Sequence, residues 1–116
     1  IKLLKHQLKN IFHNEIKNNL VIGLGAPARG VVMVNVLKLN KLINYYIDDS
    51  KTKKNCYFPG TNAKVIDWKN KNIIKCNYFI LLSWNYKKDM IKKLFKIKNR
   101  FYVISLFPKF RIEYFT

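Results

Sequence analysis

The stretch VIGLGAPARG, residues 21–30, decides how the rest of the chain is interpreted. An apolar lead-in is followed by Gly23, Gly25 and Ala28, which match the pattern G-x-G-x-x-G/A. In a βαβ unit the first glycine allows a tight turn, the second lets the backbone approach a phosphate, and the small third residue lets helix and strand pack closely. The stretch therefore predicts a phosphate-binding loop between a strand and a helix. The alternative is a glycine-rich turn that binds nothing.

The segments around this stretch predict alternating strands and helices, followed by a basic, aromatic tail. We predict helices over 1–18, 31–39 and 86–96, and strands over 20–24, 43–47, 63–66, 76–83 and 100–107. Because strands that alternate with helices form parallel sheets with right-handed crossovers, this order indicates an α/β fold. We expect a small Rossmann-like domain of about five mostly parallel strands flanked by helices.

Length and composition narrow the class of protein. With 116 residues, 49% of them hydrophobic, the chain is expected to form one globular domain with one core. Residues 1–19 are expected to be an N-terminal helix that leads in from a missing upstream part, and 20–116 the Rossmann-like domain. The chain begins at Ile1, so we expect it to be a piece of a longer protein.

Hydropathy and cysteine spacing bear on the location of the protein. The longest apolar run, residues 78–82, is too short to span a bilayer, and no signal peptide is visible. Cys56 and Cys76 lie twenty residues apart without a CxxC pair or a cysteine/histidine cluster. This spacing predicts two reduced, buried thiols and no zinc site. We therefore expect a soluble cytoplasmic protein that does not bind a membrane.

The formal net charge of +17 bears on possible partners. Twenty of the 23 basic residues are Lys, and Lys, Asn and Ile make up 48 of the 116 residues, the set that AT-rich coding favours. Proteins that read nucleic-acid sequence use Arg for bidentate contacts to bases, whereas the Lys residues here are scattered. We expect a preference for anionic ligands and no specific binding of nucleic acid.

Arg29 lies on the glycine-rich loop itself and is one of only three arginines. A charge-assisted contact to a phosphate contributes about 1.5–3 kcal/mol, whereas the alternative role, a surface salt bridge, contributes less than about 1 kcal/mol. The backbone amides from Gly25 to Ala28 would point at the same anion from a helix N-terminus. Pro27 has no N–H, so this loop offers one donor fewer than usual.

Polar side chains at the ends of two further predicted strands extend the candidate site. Asp48 and Asp49 would accept hydrogen bonds from ribose hydroxyls, or would simply occupy the strand end and turn that Asp favours. Ser83, Trp84 and Asn85 follow the most apolar strand. In open α/β sheets ligands bind outside the carboxyl ends of the strands, where the strand order reverses. Trp84 would there stack on a base or sugar ring, or pack at the edge of the core.

The chain shows a binding module and no reaction centre. His6 and His13 lie seven residues apart on the first predicted helix, without a cysteine or carboxylate at metal-ligand spacing. We interpret them as surface or packing residues. No Ser/His/Asp or Cys/His arrangement stands out. S-adenosylmethionine-binding loops usually have an acidic residue at the end of the first strand, and the first predicted strand of this chain lacks one.

Three segments, GLGAPARGVVMVNVL (23–37), YYIDDSKTKKNCYFPGT (45–61) and FILLSWNY (79–86), together resemble the C-terminal domain of the sugar C-methyltransferase family. The family pattern is G-x-G-A-x-A-[KR]-G on the first turn, Asp then K-x-G-x-x-x-P-G-T after the second strand, and W-N after the fourth. The resemblance covers roughly residues 20–107. Arg29 stands where Lys is common, and Asn55 occupies the glycine position of K-x-G.

The resemblance implies a larger S-adenosylmethionine-dependent enzyme that acts on nucleotide-linked deoxysugars. Such an enzyme has an N-terminal zinc-binding segment and a central S-adenosylmethionine domain, so the catalytic base and the methyl donor would lie outside this chain. No cofactor and no metal are expected in the chain itself. By motif match, Gly25, Ala26 and Arg29 would face the diphosphate. A neighbouring turn would be formed by Pro59, Gly60 and Thr61, and the same cleft would be lined by Trp84 and Asn85.

The leading hypothesis is therefore a substrate-binding domain that positions a nucleotide-linked sugar for the adjoining methyltransferase domains. An alternative is the dinucleotide (NAD)-binding domain of an oxidoreductase, and a third is a non-catalytic domain whose Lys-rich surface binds acidic partners or RNA. The candidate substrate-binding residues, none of them catalytic, are Gly23, Gly25, Ala26, Pro27, Ala28, Arg29, Asp48, Asp49, Pro59, Gly60, Thr61, Ser83, Trp84 and Asn85.

Overall fold

The computed structural model describes residues 2–11, 16, 19–25, 34–35, 37–48 and 63–116. In these ranges six strands form one sheet: β1 Val21–Leu24, β2 Tyr45–Ile47, β3 Lys64–Ile66, β4 Tyr78–Leu81, β5 Phe101–Ser105 and β6 Arg111–Phe115. The helices are α1 Lys2–Ile11, α2 Asn72–Lys75 and α3 Lys87–Phe95, and 3₁₀ turns occupy Leu39–Lys41 and Trp84–Tyr86.

The strand order is β3-β2-β1-β4-β5-β6. The first five strands are parallel, and β6 runs antiparallel to β5. After β3 the chain returns to the other side of β1, so the order reverses between β1 and β4. This arrangement confirms the predicted α/β, Rossmann-like fold and places the switch point at the ends of β1 and β4.

Both faces of the sheet are covered by apolar packing, as expected for parallel strands. Alternate strand residues belong to two separate core clusters. One cluster contains Val21, Tyr46, Ile80 and Ile104. The other cluster contains Ile22, Ile47, Phe79, Val103 and the α3 residue Leu94. The predicted strands are confirmed, and each is one to four residues shorter than its predicted range.

The sixth strand was not predicted from the sequence. The sequence expectation was about five strands with a basic, aromatic tail, but Arg111–Phe115 in that tail pairs with β5. Polar and apolar residues alternate in this strand, since it lies at the edge of the sheet with much of its surface exposed. Its charged side chain Glu113 forms a salt bridge with Lys87 at the start of α3. This contact between β6 and a helix depends on tertiary structure, and no local pattern signals it.

The helix predicted over residues 31–39 is only partly described. Val34 and Asn35 are helical, and Val34 is fully buried. The helix has ended by Leu37, because Lys38 has a φ of +56°, the left-handed conformation that commonly terminates helices. Leu39–Lys41 then forms a 3₁₀ turn instead of the end of the predicted helix. Among the helices in the described ranges, none is long and apolar enough to cross a membrane.

Candidate functional site

β1 and β4 end in direct contact at Gly25 and Ser83. Gly25 has a φ of +90°, which favours glycine, and a Cβ added to it would lie 1.9 Å from Ser83 Oγ. The Leu24 carbonyl accepts hydrogen bonds from the backbone N–H groups of Leu82 and Ser83, both at 3.1 Å. The ends of β1 and β4 are therefore joined by backbone hydrogen bonds at the switch point, and the Ser83 side chain leaves no room for a side chain at position 25.

The Gly25 amide is engaged within the protein. Its N–H donates a hydrogen bond to the Ile47 carbonyl at the end of β2, with an N···O distance of 2.7 Å. The glycine motif predicts that the amides from Gly25 to Ala28 point at an anion, but this first donor is already paired. The Gly25 N–H is therefore not available to an anion.

Asp48 brings a carboxyl group to the same edge of the sheet. It follows Ile47, which is paired in register with Leu24, the last residue of β1. The Asp48 backbone N–H donates to the Ile66 carbonyl at 3.2 Å, and its side chain is half-buried. The hydrogen bond fixes the backbone at the end of β2 against β3. Asp48 thus lies one strand away from the Gly25–Ser83 contact.

Gly23 has a different position from the tight turn expected of the first glycine in the motif. It lies inside β1 and is paired in register with Tyr46 and Ile80. A Cβ added here would lie 2.7 Å from Tyr46 Cδ1 and 3.0 Å from Leu82 Cδ1. Burial of the Tyr46 ring also raises the pKa of its hydroxyl above the ordinary value. The missing side chain at position 23 makes room for this ring in the core.

Trp84 and Asn85 follow Ser83 in a 3₁₀ turn that leads into α3. Asn85 is exposed, whereas Trp84 is half-buried and packs against the cluster that contains Ile22 and Phe79. The Trp84 ring also meets the ring of Phe107, with centroids 5.2 Å apart and planes tilted by 38°. The sequence placed Phe107 at the end of the predicted strand 100–107 and not in the site, although a large apolar residue before a proline at a strand end is a visible signal.

Gly25, Asp48, Ser83, Trp84 and Asn85 are thus brought together at the carboxyl edge of β2, β1 and β4. The remaining predicted site residues lie outside the described residues. They are Ala26, Pro27, Ala28, Arg29, Asp49, Pro59, Gly60 and Thr61.

A cavity of about 260 Å³ lies at the opposite edge, beside the first residues of β4 and β5. Its lining includes Arg100 and the ring edges of three tyrosines from neighbouring strands. Tyr78 and Tyr102 stack with centroids 5.0 Å apart, and Tyr102 and Tyr114 lie 4.6 Å apart. Tyr102 therefore contacts an aromatic ring on each neighbouring strand. Among the predicted site residues that the structure describes, none lines this cavity.

Cys76 is confirmed as a buried free thiol. Its Sγ lies 3.0 Å from the Tyr78 carbonyl oxygen and 3.4 Å from that of Leu20, as the donor to both. Burial raises the pKa of this thiol to about 12, so it is protonated and unreactive at neutral pH. Cys56 and His13 lie outside the described residues, and His6 is exposed. In the described ranges no three His, Cys, Asp or Glu side chains come together as a metal site.

Comparison with known families adds an independent finding. The family model for the C-methyltransferase C-terminal domain matches residues 1–104, so it spans the chain from α1 almost to the end of β5. It leaves out β6 and the turn that contains Phe107. No curated protein matches the chain. The match agrees with the resemblance of the three sequence segments and does not favour a dinucleotide-binding oxidoreductase.

Proposed function

Because the chain belongs to the C-methyltransferase C-terminal domain family, we propose that it is the substrate-binding domain of an S-adenosylmethionine-dependent methyltransferase. In this proposal the domain holds a nucleotide-linked sugar while an adjoining domain of the same protein carries out the methyl transfer. Binding energy is thereby used to position the acceptor carbon against the methyl donor.

The observation that carries the proposal is the packing of Gly25 against Ser83 at the switch point between β1 and β4. Ligands of open α/β sheets bind in the crevice outside this point. The glycine at position 25 removes one side chain from this crevice, and Arg29 on the same loop would supply a positive charge to a bound diphosphate. Asp48 and Asn85 add hydrogen-bonding groups on either side.

S-adenosylmethionine supplies the methyl group and is assigned to the adjoining domain. β1 continues from Leu24 into Gly25, with no acidic residue at its end. The residues at the end of β1 therefore do not fit this cofactor, and no step in this chain depends on it. The role of the chain in the reaction is to bind and orient the sugar substrate.

A thermal-shift titration of the chain with TDP, UDP, NADH and S-adenosylmethionine at moderate salt tests the proposal. We expect stabilisation by a nucleoside diphosphate and by neither of the other ligands. A ligand at one hundred times its Kd stabilises the native chain by about 2.7 kcal/mol, enough to shift the melting temperature by several degrees. A shift with NADH alone would favour the oxidoreductase, and no shift with any ligand would contradict binding by this chain.

Arg29→Ala provides the residue-level arm of the same test. Removing the guanidinium should weaken binding of the nucleoside diphosphate by about 1.5–3 kcal/mol, measured by calorimetry. Arg100→Ala is the matched control, because Arg100 is exposed at the opposite edge of the sheet, next to the start of β5. An unchanged titration for Arg29→Ala would remove Arg29 from the site.

A further inference from the structure

Two aromatic rings meet just outside the ends of β4 and β5. Trp84 begins the 3₁₀ turn after β4, and Phe107 lies two residues beyond the end of β5. Their centroids are 5.2 Å apart, and Phe107 is 50% exposed. Tyr86, at the end of the same 3₁₀ turn, is also exposed. This edge therefore presents aromatic surface to solvent beside the proposed substrate site.

The sheet register fixes the order of groups along the carboxyl edge. The last residues of four neighbouring strands are paired in one row, from Ile47 through Leu24 and Leu81 to Ser105. Beyond this row lie the residues that follow each strand: Asp48 after β2, Gly25 after β1, Ser83 and Trp84 after β4, and Phe107 after β5. Neighbouring strands are about 4.8 Å apart, so the end of β5 lies about 10 Å from the end of β1.

The chemistry differs on the two sides of Gly25. On the β2 side Asp48 offers a carboxylate, which accepts hydrogen bonds from hydroxyl groups and suits a ribose. On the β5 side lie the Trp84–Phe107 pair and the exposed amide of Asn85. An aromatic surface packs against the apolar C–H face of a sugar ring, and a neighbouring amide donates to and accepts from its hydroxyls. A deoxysugar has more of this apolar surface than a fully hydroxylated one.

We propose that the Trp84–Phe107 pair is the sugar-binding wall of the site, so that the substrate lies across the switch point with its nucleoside toward β2 and its sugar toward β5. This inference rests on the proposed function and adds the orientation of the substrate. Phe107 lies beyond the part of the chain that the family model matches, which ends at residue 104. In this proposal Phe107 is a substrate-contacting residue contributed by the turn between β5 and β6.

Calorimetry with paired ligands tests the orientation. The ligands are TDP and TDP-glucose, or UDP and UDP-glucose if UDP stabilises the chain more. Phe107→Ala should weaken binding of the glucose conjugate about three- to tenfold and change binding of the free nucleoside diphosphate less than twofold. Phe107→Tyr, which keeps the aromatic surface, should bind both ligands as the wild type does.

Tyr114→Ala is the matched control for Phe107→Ala. Tyr114 is also 50% exposed and its ring meets Tyr102 at the same 38° tilt, but it lies near the amino edge of the parallel strands. The Tyr114→Ala variant should bind both ligands as the wild type does. Melting temperatures establish that every variant is folded. Asp48→Asn should weaken binding of both ligands equally, since both contain the nucleoside.

If Phe107→Ala weakens binding of both ligands equally, the proposed orientation is wrong, because the nucleoside or the phosphates would then lie at Phe107. No loss of either ligand would also overturn it. If the wild-type chain binds neither the nucleoside diphosphate nor its glucose conjugate, the proposed function itself fails. The two failures are therefore distinguished by the wild-type titration alone.

Discussion

At Gly25 the φ of +90° and the distance of 1.9 Å between an added Cβ and Ser83 Oγ exclude a side chain for two separate reasons. The first reason is the positive φ, which costs free energy for any L-residue that has a side chain. The second is space, since β1 and β4 end against each other. Position 25 is thus restricted to glycine, at the point where β1 and β4 end.

Gly25→Ala should lower the free energy of unfolding by about 2–5 kcal/mol, from backbone strain and overpacking together. The double variant Gly25→Ala/Ser83→Gly separates the two causes. It removes the Ser83 side chain but keeps the φ of +90°, so it should recover only part of the loss. Urea unfolding measures each step, with Ser83→Gly as the reference for the double variant. Full recovery of stability in the double variant, or no loss of stability in Gly25→Ala, would show that strain and overpacking do not both act at this position.

At the scale of elements, Cys76 links the segments that precede β1 and β4. Its thiol lies between the carbonyl oxygens of Leu20 and Tyr78 and is fully buried. Because burial raises its pKa from 9.0 to about 12, the native chain retains a proton that the unfolded chain releases in mildly alkaline solution. The stability contributed by this group is present below about pH 9 and is lost as the pH rises toward 12.

Cys76 should therefore resist alkylation in the native chain. With a pKa of about 12, roughly one thiol in ten thousand is ionised at pH 8, whereas the unfolded thiol reacts readily. The measurement is the rate of iodoacetamide labelling in a Cys56→Ser background, followed by mass spectrometry. The same protein in concentrated urea is the control. Rapid labelling under native conditions would show that the segment around Cys76 opens easily.

At the scale of the whole molecule, the net charge of +17 acts on every anionic ligand. A chain of this charge attracts polyanions without reading their sequence, and such binding weakens steeply with salt because counterions are released. Non-specific binding of RNA to this chain would therefore not indicate an RNA-binding function. In the proposed function, by contrast, the substrate would be held at one edge of the sheet by contacts at short range.

Binding of a 12-nucleotide RNA should fall at least tenfold between 50 and 200 mM salt and should not depend on its sequence. Binding of the nucleoside diphosphate should fall much less over the same range. Fluorescence anisotropy with two unrelated RNA sequences, alongside calorimetry with TDP or UDP, compares the two. A sequence preference that persists at 200 mM salt would favour the RNA-binding alternative over the substrate-binding domain.

Much of the sheet could be predicted because its strands carry a local signal. Residues 21–24 and 78–81 are continuous apolar runs, and the glycines after the first run indicate a strand–helix junction. The edge strand β6 lacked such a signal, since it alternates polar and apolar residues and is stabilised by β5 and by Lys87 on α3. An edge strand depends on its neighbour in space more than on its own composition.

The candidate site could likewise be predicted only in part. Glycine spacing and the polar residues after the strands were sufficient to propose Gly25, Asp48, Ser83 and Trp84, because parallel strands bring their carboxyl ends to one edge. The packing role of Gly23 against Tyr46 and the engagement of the Gly25 amide by Ile47 were not predictable. Both are contacts with a strand that lies more than twenty residues away in the chain.

The amino-acid sequence by itself determined the α/β class, the position of the first strand and the family, because these depend on local periodicity and on short motifs. Only the tertiary structure decided that β6 closes one side of the sheet, that Gly25 leaves no space beside Ser83, and that Phe107 meets Trp84. These features depend on which distant residues become neighbours. That is set by the packing of the whole core and by the strand order, which no single segment encodes.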